Sequence, residues 1–274
     1  MKKNNSVLLS VPYILWMLVF TLIPLGVVFY YAMTDPETGA FTWNNLQELG
    51  TFLPVFGQSI LYSVISALIC LLLGYPVAYY IAHRGPLAQK FLYMLVMLPM
   101  CMSFLLRTLA WVALLQDTGI INNLLSALGL ANVKLIRTPG AVIMGMVYNY
   151  LPYMILPLYA IIVKLDHRLI EAAEDLGCTP VQTFVKVVLP MTKPGIVSGI
   201  TMVFVPAVST FYISQKLGNP DSMLIGDVIE RMFKQGNNGN LGAALSLLLM
   251  VLVFVCTGIM NRFAGGDGED GVIV

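Results

Sequence analysis

The chain has 274 residues, of which 58% are hydrophobic and 11% are charged, and its formal net charge at pH 7 is +1. Soluble domains carry about 25% charged residues, so this composition excludes an ordinary soluble globule. A net charge near zero also argues against a nucleic-acid partner. We therefore expect an integral membrane protein whose surface contacts membrane lipid.

Six apolar stretches are long enough to cross a bilayer as helices. A hydrocarbon core of ~30 Å requires about 20 helical residues, and the stretches cover residues 7–33, 60–82, 91–115, 139–163, 195–217 and 241–261. The sequence thus predicts an all-α membrane protein with one transmembrane domain over residues 7–263. Residues 1–6 precede this domain, and residues 264–274 form an acidic, glycine-rich tail that we expect to be disordered.

Basic residues in the connections predict the orientation, because Lys and Arg are enriched on the cytoplasmic side of a membrane. One side carries Lys2, Lys3, Arg84, Lys90, Lys164, Arg168, Lys186, Lys193 and Arg262. The other side carries Lys134, Arg137, Lys216, Arg231 and Lys234. The richer side is expected to be cytoplasmic, which places both termini there. Residues 164–194, which we call the polar loop, are expected to be cytoplasmic for the same reason.

Polar and aromatic groups within the spans are candidates for a solute path. Arg107 is the one charge deep in the third span; it could belong to a pathway or an inter-subunit pair, or extend toward the outer face. Spans four and five carry Tyr148, Asn149, Tyr153, Phe211 and Tyr212. Aromatic rings attract cations through their negative faces, so these residues could pass an organic cation, although ordinary helix packing would also explain them.

The polar loop predicts two short helices joined at a glycine. Asp166 can cap the first helix, because its carboxylate can accept hydrogen bonds from the free N–H groups of the opening turn. Gly177 stands where a helix end needs a residue that tolerates positive φ. Thr179 and Pro180 can then begin the second helix as its cap and first residue.

Each predicted helix carries an apolar stripe at helical spacing. The first stripe comprises Leu165, Leu169, Ala172 and Leu176, and the second comprises Val181, Phe184, Val185, Val188 and Leu189. Pro190 and Pro194 are expected to stop the second helix, since each removes a backbone donor and crowds the preceding turn. Such a loop could lie on the membrane or pack on its own bundle.

A docking role for the polar loop is favoured by Ala172 and Ala173, whose small side chains would let another surface approach the backbone. Glu171 stands beside them for a charged contact. Three residues separate Ala173 from Gly177, and nine more separate Gly177 from the run VVLP at 187–190. This spacing resembles the loop of binding-protein-dependent ABC importer permeases. In that family the loop sits in a groove on a cytoplasmic ATPase.

The resemblance extends along most of the chain. Within that family, the sequence is most similar to the B-type permease of spermidine/putrescine ABC importers. It is carried by residues 71–82, 98–111, 119–130, 138–166 and 205–229. The resemblance implies a six-helix type I ABC importer permease fold in a bacterial inner membrane. A conservative departure is Val187, where the family usually has isoleucine.

The resemblance also implies partners and a contact site. The partners would be a second permease subunit forming a heterodimer, two cytoplasmic ATPase subunits and an external solute-binding protein. ATP and Mg²⁺ would be bound by the ATPase, with no cofactor or metal in this chain. The ATPase-coupling residues would be Glu171, Ala172, Ala173, Glu174, Gly177, Leu189 and Pro190.

Sequence motifs for other activities are missing. The phosphate-binding pattern G-x-x-x-x-G-K-[ST] does not occur, and neither does H-E-x-x-H nor G-x-S-x-G, so we expect a transport subunit and not an enzyme. Two alternatives stay open. The same kind of permease could carry another small solute, such as ferric ion, thiamine or phosphonate. The chain could instead be a stand-alone channel or secondary carrier, although its spans lack the buried carboxylate usual in ion-coupled carriers.

Overall fold

The computed structural model describes residues 11–36, 38–219, 223–234 and 238–264. Within these residues the regular secondary structure is helical, apart from an isolated antiparallel bridge between Thr34 and Phe41. The all-α prediction is therefore confirmed. Residues 1–6 and 265–274, which carry the predicted amino-terminal segment and nearly all of the acidic tail, lie outside the described residues.

Thirteen α-helices are numbered here in chain order over the described residues. They are α1 (Val11–Ala32), α2 (Asn44–Glu48), α3 (Leu53–Ala82), α4 (Pro86–Met97), α5 (Phe104–Leu115), α6 (Ile120–Ala127), α7 (Pro139–Ile162), α8 (His167–Asp175), α9 (Pro180–Met191), α10 (Lys193–Val208), α11 (Tyr212–Leu217), α12 (Ile225–Lys234) and α13 (Gly239–Ala264). Short 3₁₀ helices occur at Leu49–Phe52 and Leu98–Cys101, and π turns lie within α1 and α9, at Leu18–Leu22 and Phe184–Val188.

Five helical stretches within the described residues are long and apolar enough to cross a membrane. They are Val11–Ala32, Asn44–Ala82, Phe104–Ala127, Pro139–Ile162 and Gly239–Arg262. A sixth span results if α9 and α10, which meet at a bend of 65°, are counted as one. The number of predicted spans therefore agrees with the structure when this broken span is included.

Two of the predicted spans are not continuous helices. Residues 91–115 divide into α4, a 3₁₀ turn and α5, with Met102 and Ser103 between them. Pro99 lies in that 3₁₀ turn, where the ring removes one backbone donor and favours a break. Residues 195–217 likewise divide, because α10 ends at Val208 and α11 begins at Tyr212.

The chain forms two compact units that are described separately. The first comprises the described residues before Val55 together with Val228–Leu252. In it, the backbone carbonyl of Thr34 accepts hydrogen bonds from the side-chain amides of Asn45 (3.0 Å) and Asn240 (2.5 Å). These buried amides hold the segment after α1 against the start of α13, because a buried carbonyl is costly to leave unbonded.

The second unit comprises Val55–Asp227 and the described residues from Val253 onward, and α7 lies in its core. Met146, Met154 and Leu158 of α7 are completely buried. Helix α10 approaches α7 closely at Gly199, where an added Cβ would lie 2.6 Å from Met154 Sδ. Small residues allow such approach between membrane helices, and this packing fixes the position of α10 relative to α7.

Candidate functional site

The first helix of the polar loop has the predicted ends. The carboxylate of Asp166 accepts a hydrogen bond of 3.0 Å from the backbone N–H of Arg168, which caps α8. Gly177 has φ +83°. Its N–H donates to Glu174 O (2.8 Å), and the N–H of Cys178 donates to Ala173 O (3.1 Å). This pair of bonds is the Schellman arrangement, and the predictions for the cap and the glycine are confirmed.

The second helix of the polar loop begins as predicted. Thr179 and Gln182 form a reciprocal capping box, in which the Thr179 hydroxyl accepts from the Gln182 N–H at 3.4 Å and the Gln182 side chain accepts from the Thr179 N–H at 3.0 Å. Pro180 occupies the first helical position, where its missing N–H would have no intrahelical partner.

The second helix ends where two prolines were expected to stop it. Helix α9 ends at Met191, between Pro190 and Pro194. The π turn Phe184–Val188 precedes Pro190, and its wider winding is a common way to fit a residue that lacks a donor. Pro194 lies in the first turn of α10, where proline is tolerated. The bend instead falls at Thr192, between the two helices.

Six of the seven residues expected to couple to an ATPase are exposed: Glu171, Ala172, Glu174, Gly177, Leu189 and Pro190. Ala173 is different, because it is only 7% exposed. Successive residues on an α-helix point about 100° apart, so Ala172 and Ala173 cannot both face outward from one side. Of the two alanines expected to let another surface approach, Ala172 is exposed in this chain and Ala173 is buried.

Two apolar side chains near the Gly177 turn are unusually exposed. Leu176 is 86% exposed and Val181 is 72% exposed, and each belongs to a predicted apolar stripe. Large apolar groups exposed together commonly mark a contact surface. We call the exposed set the tip of the polar loop: Glu171, Ala172, Glu174, Leu176, Gly177 and Val181. It combines acidic and apolar contacts around a rigid turn.

Arg107 and Asn149, predicted for a solute path, are buried at 7% and 1% exposure. The Asn149 amide donates to the carbonyl of Gly145 (2.9 Å), and its own Oδ1 has no hydrogen-bond partner within the described residues. The Nε and Nη1 atoms of Arg107 also lack a partner there. Buried donors and acceptors are normally satisfied, so these atoms are available to water or to a group from outside the chain.

The structure places Arg107 between two aromatic pairs. Phe104, Arg107 and Trp111 are spaced by three and four residues and share one face of α5. The ring of Phe104 lies 6.3 Å from that of Tyr212, and the ring of Trp111 lies 5.3 Å from that of Tyr148. Three predicted path residues therefore lie along one face of α5: Arg107, which belongs to the helix, and Tyr148 and Tyr212, which pack against it.

The remaining path candidates lie at the surface. Tyr153 is 37% exposed and contacts Tyr150, with ring centroids 6.4 Å apart, and Phe211 is 42% exposed. The ammonium group of Lys216 lies 5.8 Å from the centroid of the Tyr212 ring. An alkylammonium group thus already occupies the face of one of these rings. In the described part of the chain, no three His, Cys, Asp or Glu side chains group together as metal ligands.

Comparison with known proteins extends these observations. A family model described as "Binding-protein-dependent transport system inner membrane component" matches residues 72–265. The spermidine/putrescine transport system permease protein PotB of Haemophilus influenzae is 38% identical over 249 residues, 87% of this chain and 86% of that protein. PotB of Escherichia coli (strain K12) is 34% identical over 247 residues, 87% and 90% of the two chains.

Solved structures share the fold. A bacterial alginate ABC transporter, in complex with an alginate pentasaccharide-bound periplasmic protein, contains a chain that superimposes with a TM-score of 0.75 at 20% identity and covers 98% of both chains. The MetNI methionine ABC transporter in inward-facing conformations gives a TM-score of 0.60 at 17% identity, over 80% of this chain and 96% of that one. These matches confirm the predicted importer permease fold.

Proposed function

This chain belongs to the family of inner membrane components of binding-protein-dependent transport systems, and from that premise we propose that it is the membrane-spanning subunit of an ATP-driven polyamine importer. It is a multi-pass protein of a bacterial inner membrane. The observation that supports a polyamine as the transported solute is 38% identity, over most of both chains, to a permease named for spermidine and putrescine. The protein is a transport component, and ATP hydrolysis is assigned to a separate subunit.

The proposed assembly has four kinds of member. This chain pairs with a second permease, two ATPase subunits bind ATP and Mg²⁺ on the cytoplasmic side, and an external binding protein delivers the solute. The polar loop is assigned to the ATPase contact. Support comes from its tip, where Leu176 and Val181 expose apolar groups beside the carboxylates of Glu171 and Glu174.

Transport is proposed to proceed by alternating access. Closure of the ATPase dimer on ATP moves the polar loops, and the two permeases open toward the docked binding protein to accept the solute. Hydrolysis then returns the inward-open state. A ligand or partner can shift such an equilibrium only through different contacts in the two states. In this chain the contact that changes is assigned to the tip.

The solute path is assigned to the partly exposed rings of α7 and α11 and to the residues around α5. Polyamines carry alkylammonium groups, and Lys216 provides the same group over the Tyr212 ring. Rings can hold such a cation with ~0.5–2 kcal/mol each, weakly enough for release. Arg107 repels a cation, so it is assigned to the edge of the path, where an enclosed water molecule can accept from its buried N–H groups.

The cargo can be tested in cells that lack their own polyamine uptake. Expression of this chain with its three partner proteins is expected to restore uptake of radiolabelled spermidine, and unlabelled putrescine should compete. Omission of the ATPase should abolish that uptake. Competition by ferric ion, thiamine or a phosphonate, with no effect of putrescine, would instead assign another cargo. Uptake by the chain alone would favour the channel or carrier alternative.

Replacing Tyr212 with leucine is expected to weaken the path for cations. The change removes the ring face and keeps an apolar side chain, so the KM for spermidine should rise about twofold to thirtyfold, as one ring–cation contact allows. Phe254→Leu is the matched control, because Phe254 is an aromatic residue of α13 that is 68% exposed. An unchanged KM in Tyr212→Leu, or an equal rise in the control, would remove Tyr212 from the path.

A further inference from the structure

The bend between α9 and α10 is built around one hydroxyl group. The two helices meet at 65°, and Thr192 lies at the break with φ −90° and ψ −1°. Its side chain is completely buried. The Thr192 Oγ1 lies 3.0 Å from Val188 O and 3.1 Å from Leu189 O, so the hydroxyl group donates to carbonyl groups in the last turn of α9. Thr192 therefore closes α9 at the point where α10 begins.

A second hydroxyl reaches this bend from another helix. Tyr75 of α3 is 7% exposed, and its Oη lies 2.8 Å from Thr192 Oγ1. Since the Thr192 proton is directed to backbone carbonyls, Tyr75 is the donor in this bond. The partners are separated by 117 residues in the sequence. The bond thus connects α3 directly to the bend between α9 and α10.

Aromatic contacts from α3 also hold α9 at the start of its π turn. Phe184 is the first residue of that turn, and its ring lies 5.4 Å from the Tyr75 ring at 88°. Tyr79, one turn further along α3, also lies edge-on to Phe184, at 6.0 Å and 83°. Edge-to-face pairs at these separations are favourable. Helix α3 consequently contacts the start of the π turn, through rings at Phe184, and the bend after α9, through the hydrogen bond at Thr192.

We propose that Tyr75 and Thr192 are positioning residues that transmit movement of the polar loop to α3. This inference rests on the proposed function, which gives the polar loop its ATPase contact. A π turn is a point at which a helix can deform, so movement at the tip could be absorbed between Phe184 and the bend. Tyr75 braces that turn, because its ring contacts Phe184 at the start of the turn and its hydroxyl bonds Thr192 beyond the end of it. It makes α9, the start of α10 and α3 move as one body.

The test uses the complete complex in lipid nanodiscs, with spermidine-loaded binding protein. Tyr75→Phe removes the hydroxyl and retains the ring contact with Phe184, and Thr192→Val removes the other hydroxyl at nearly constant volume. Thr192→Ser keeps the hydroxyl. Tyr79→Phe is the matched control, because Tyr79 packs on the same Phe184 and its hydroxyl makes no bond to the described residues. ATP hydrolysis is measured with and without the loaded binding protein.

We expect basal ATP hydrolysis and complex yield to be unchanged in all variants. Stimulation by the loaded binding protein should fall about fivefold in Tyr75→Phe and in Thr192→Val, the size expected for loss of one buried hydrogen bond. The double variant should be no worse than Thr192→Val alone, because Tyr75→Phe removes a bond that the Thr192 change has already removed. Thr192→Ser and Tyr79→Phe should keep wild-type stimulation.

Three results would overturn the inference alone: wild-type stimulation in both hydroxyl-deleted variants, an equal loss in Tyr79→Phe, or losses that multiply in the double variant. If the bond only stabilised the fold, its loss would lower the complex yield and the basal hydrolysis together. The ratio of stimulated to basal hydrolysis would then stay unchanged. A wild-type chain that retains no ATPase at all would overturn the proposed function, and this inference with it. The two failures are therefore distinguishable.

Discussion

Replacement of Gly177 by valine is expected to abolish solute uptake while the chain still inserts in the membrane. Gly177 has φ +83°, and a β-branched residue in that region costs at least ~1–2 kcal/mol. Relief of that strain would open the Schellman bonds from Gly177 to Glu174 and from Cys178 to Ala173. The exposed side chains of Leu176 and Val181 would then lose their fixed arrangement. Uptake of radiolabelled spermidine and the amount of chain in the membrane fraction are the measurements.

The matched control is Gly85→Val. Gly85 is also exposed and has open space around the position of a Cβ, but its φ of −64° and ψ of 159° suit valine. Uptake in this control is expected to stay within about twofold of wild type, since Gly85 is an exposed N-cap that gives α4 no side-chain hydrogen bond and its backbone conformation suits valine. Normal uptake in Gly177→Val at equal membrane content would show that the glycine turn does not position a contact.

Reversal of charge at Glu171 is expected to separate the permease from its ATPase. Glu171 lies exposed on α8, and Lys has nearly the same helix propensity as Glu, so the helix itself should persist. The change places a positive charge where a carboxylate was assigned to meet the partner. Loss of such an interfacial charge contact costs enough to lower affinity at least about tenfold. Retention of the ATPase on immobilised permease, measured against salt concentration, gives the effect.

Glu48→Lys supplies the control for this experiment. It makes the same charge change at an exposed residue of α2, outside the polar loop. ATPase retention should be unchanged in this control. Equal retention in wild type and Glu171→Lys, with hydrolysis still stimulated by the loaded binding protein, would contradict the assigned role of Glu171.

Local features of the polar loop were predictable because they depend on neighbouring residues. Asp166 caps its own helix, Gly177 adopts positive φ, and Thr179 with Pro180 begins the next helix. Each feature requires only a side chain and the backbone within a few residues. The length and apolar character of the spans were predictable for the same kind of reason, since bilayer thickness sets them.

Features that depend on tertiary packing were not predictable from the pattern. Leu176 is exposed although periodicity places it in an apolar stripe, and Ala173, which lies outside that stripe, is buried. Pro190 and Pro194 correctly indicate the end of α9 at Met191, but the π turn that precedes Pro190 has no signal in the pattern. The Tyr75–Thr192 bond joins residues 117 positions apart, and neither residue belongs to a motif that would have drawn attention to it.

The solute path is an intermediate case. Arg107 was recognisable as a deep charge within an apolar stretch, but its position between the Phe104–Tyr212 and Trp111–Tyr148 ring pairs required the packing of α5 against α7 and α11. Asn149 was selected with the neighbouring tyrosines, yet it is 1% exposed, whereas Tyr148 is 37% exposed. Adjacent residues on one helix face different surroundings, which a run of polar letters does not reveal.

The central claim is that this chain works as one subunit of an ATP-driven importer. Affinity purification of the tagged chain from its native membrane in mild detergent, followed by mass spectrometry of the proteins retained, tests it most directly. We expect a second permease of the same family, an ATPase and a solute-binding protein that binds spermidine. Repeated recovery of the chain alone, even with added lipid, would contradict the claim and leave the polar loop without a partner.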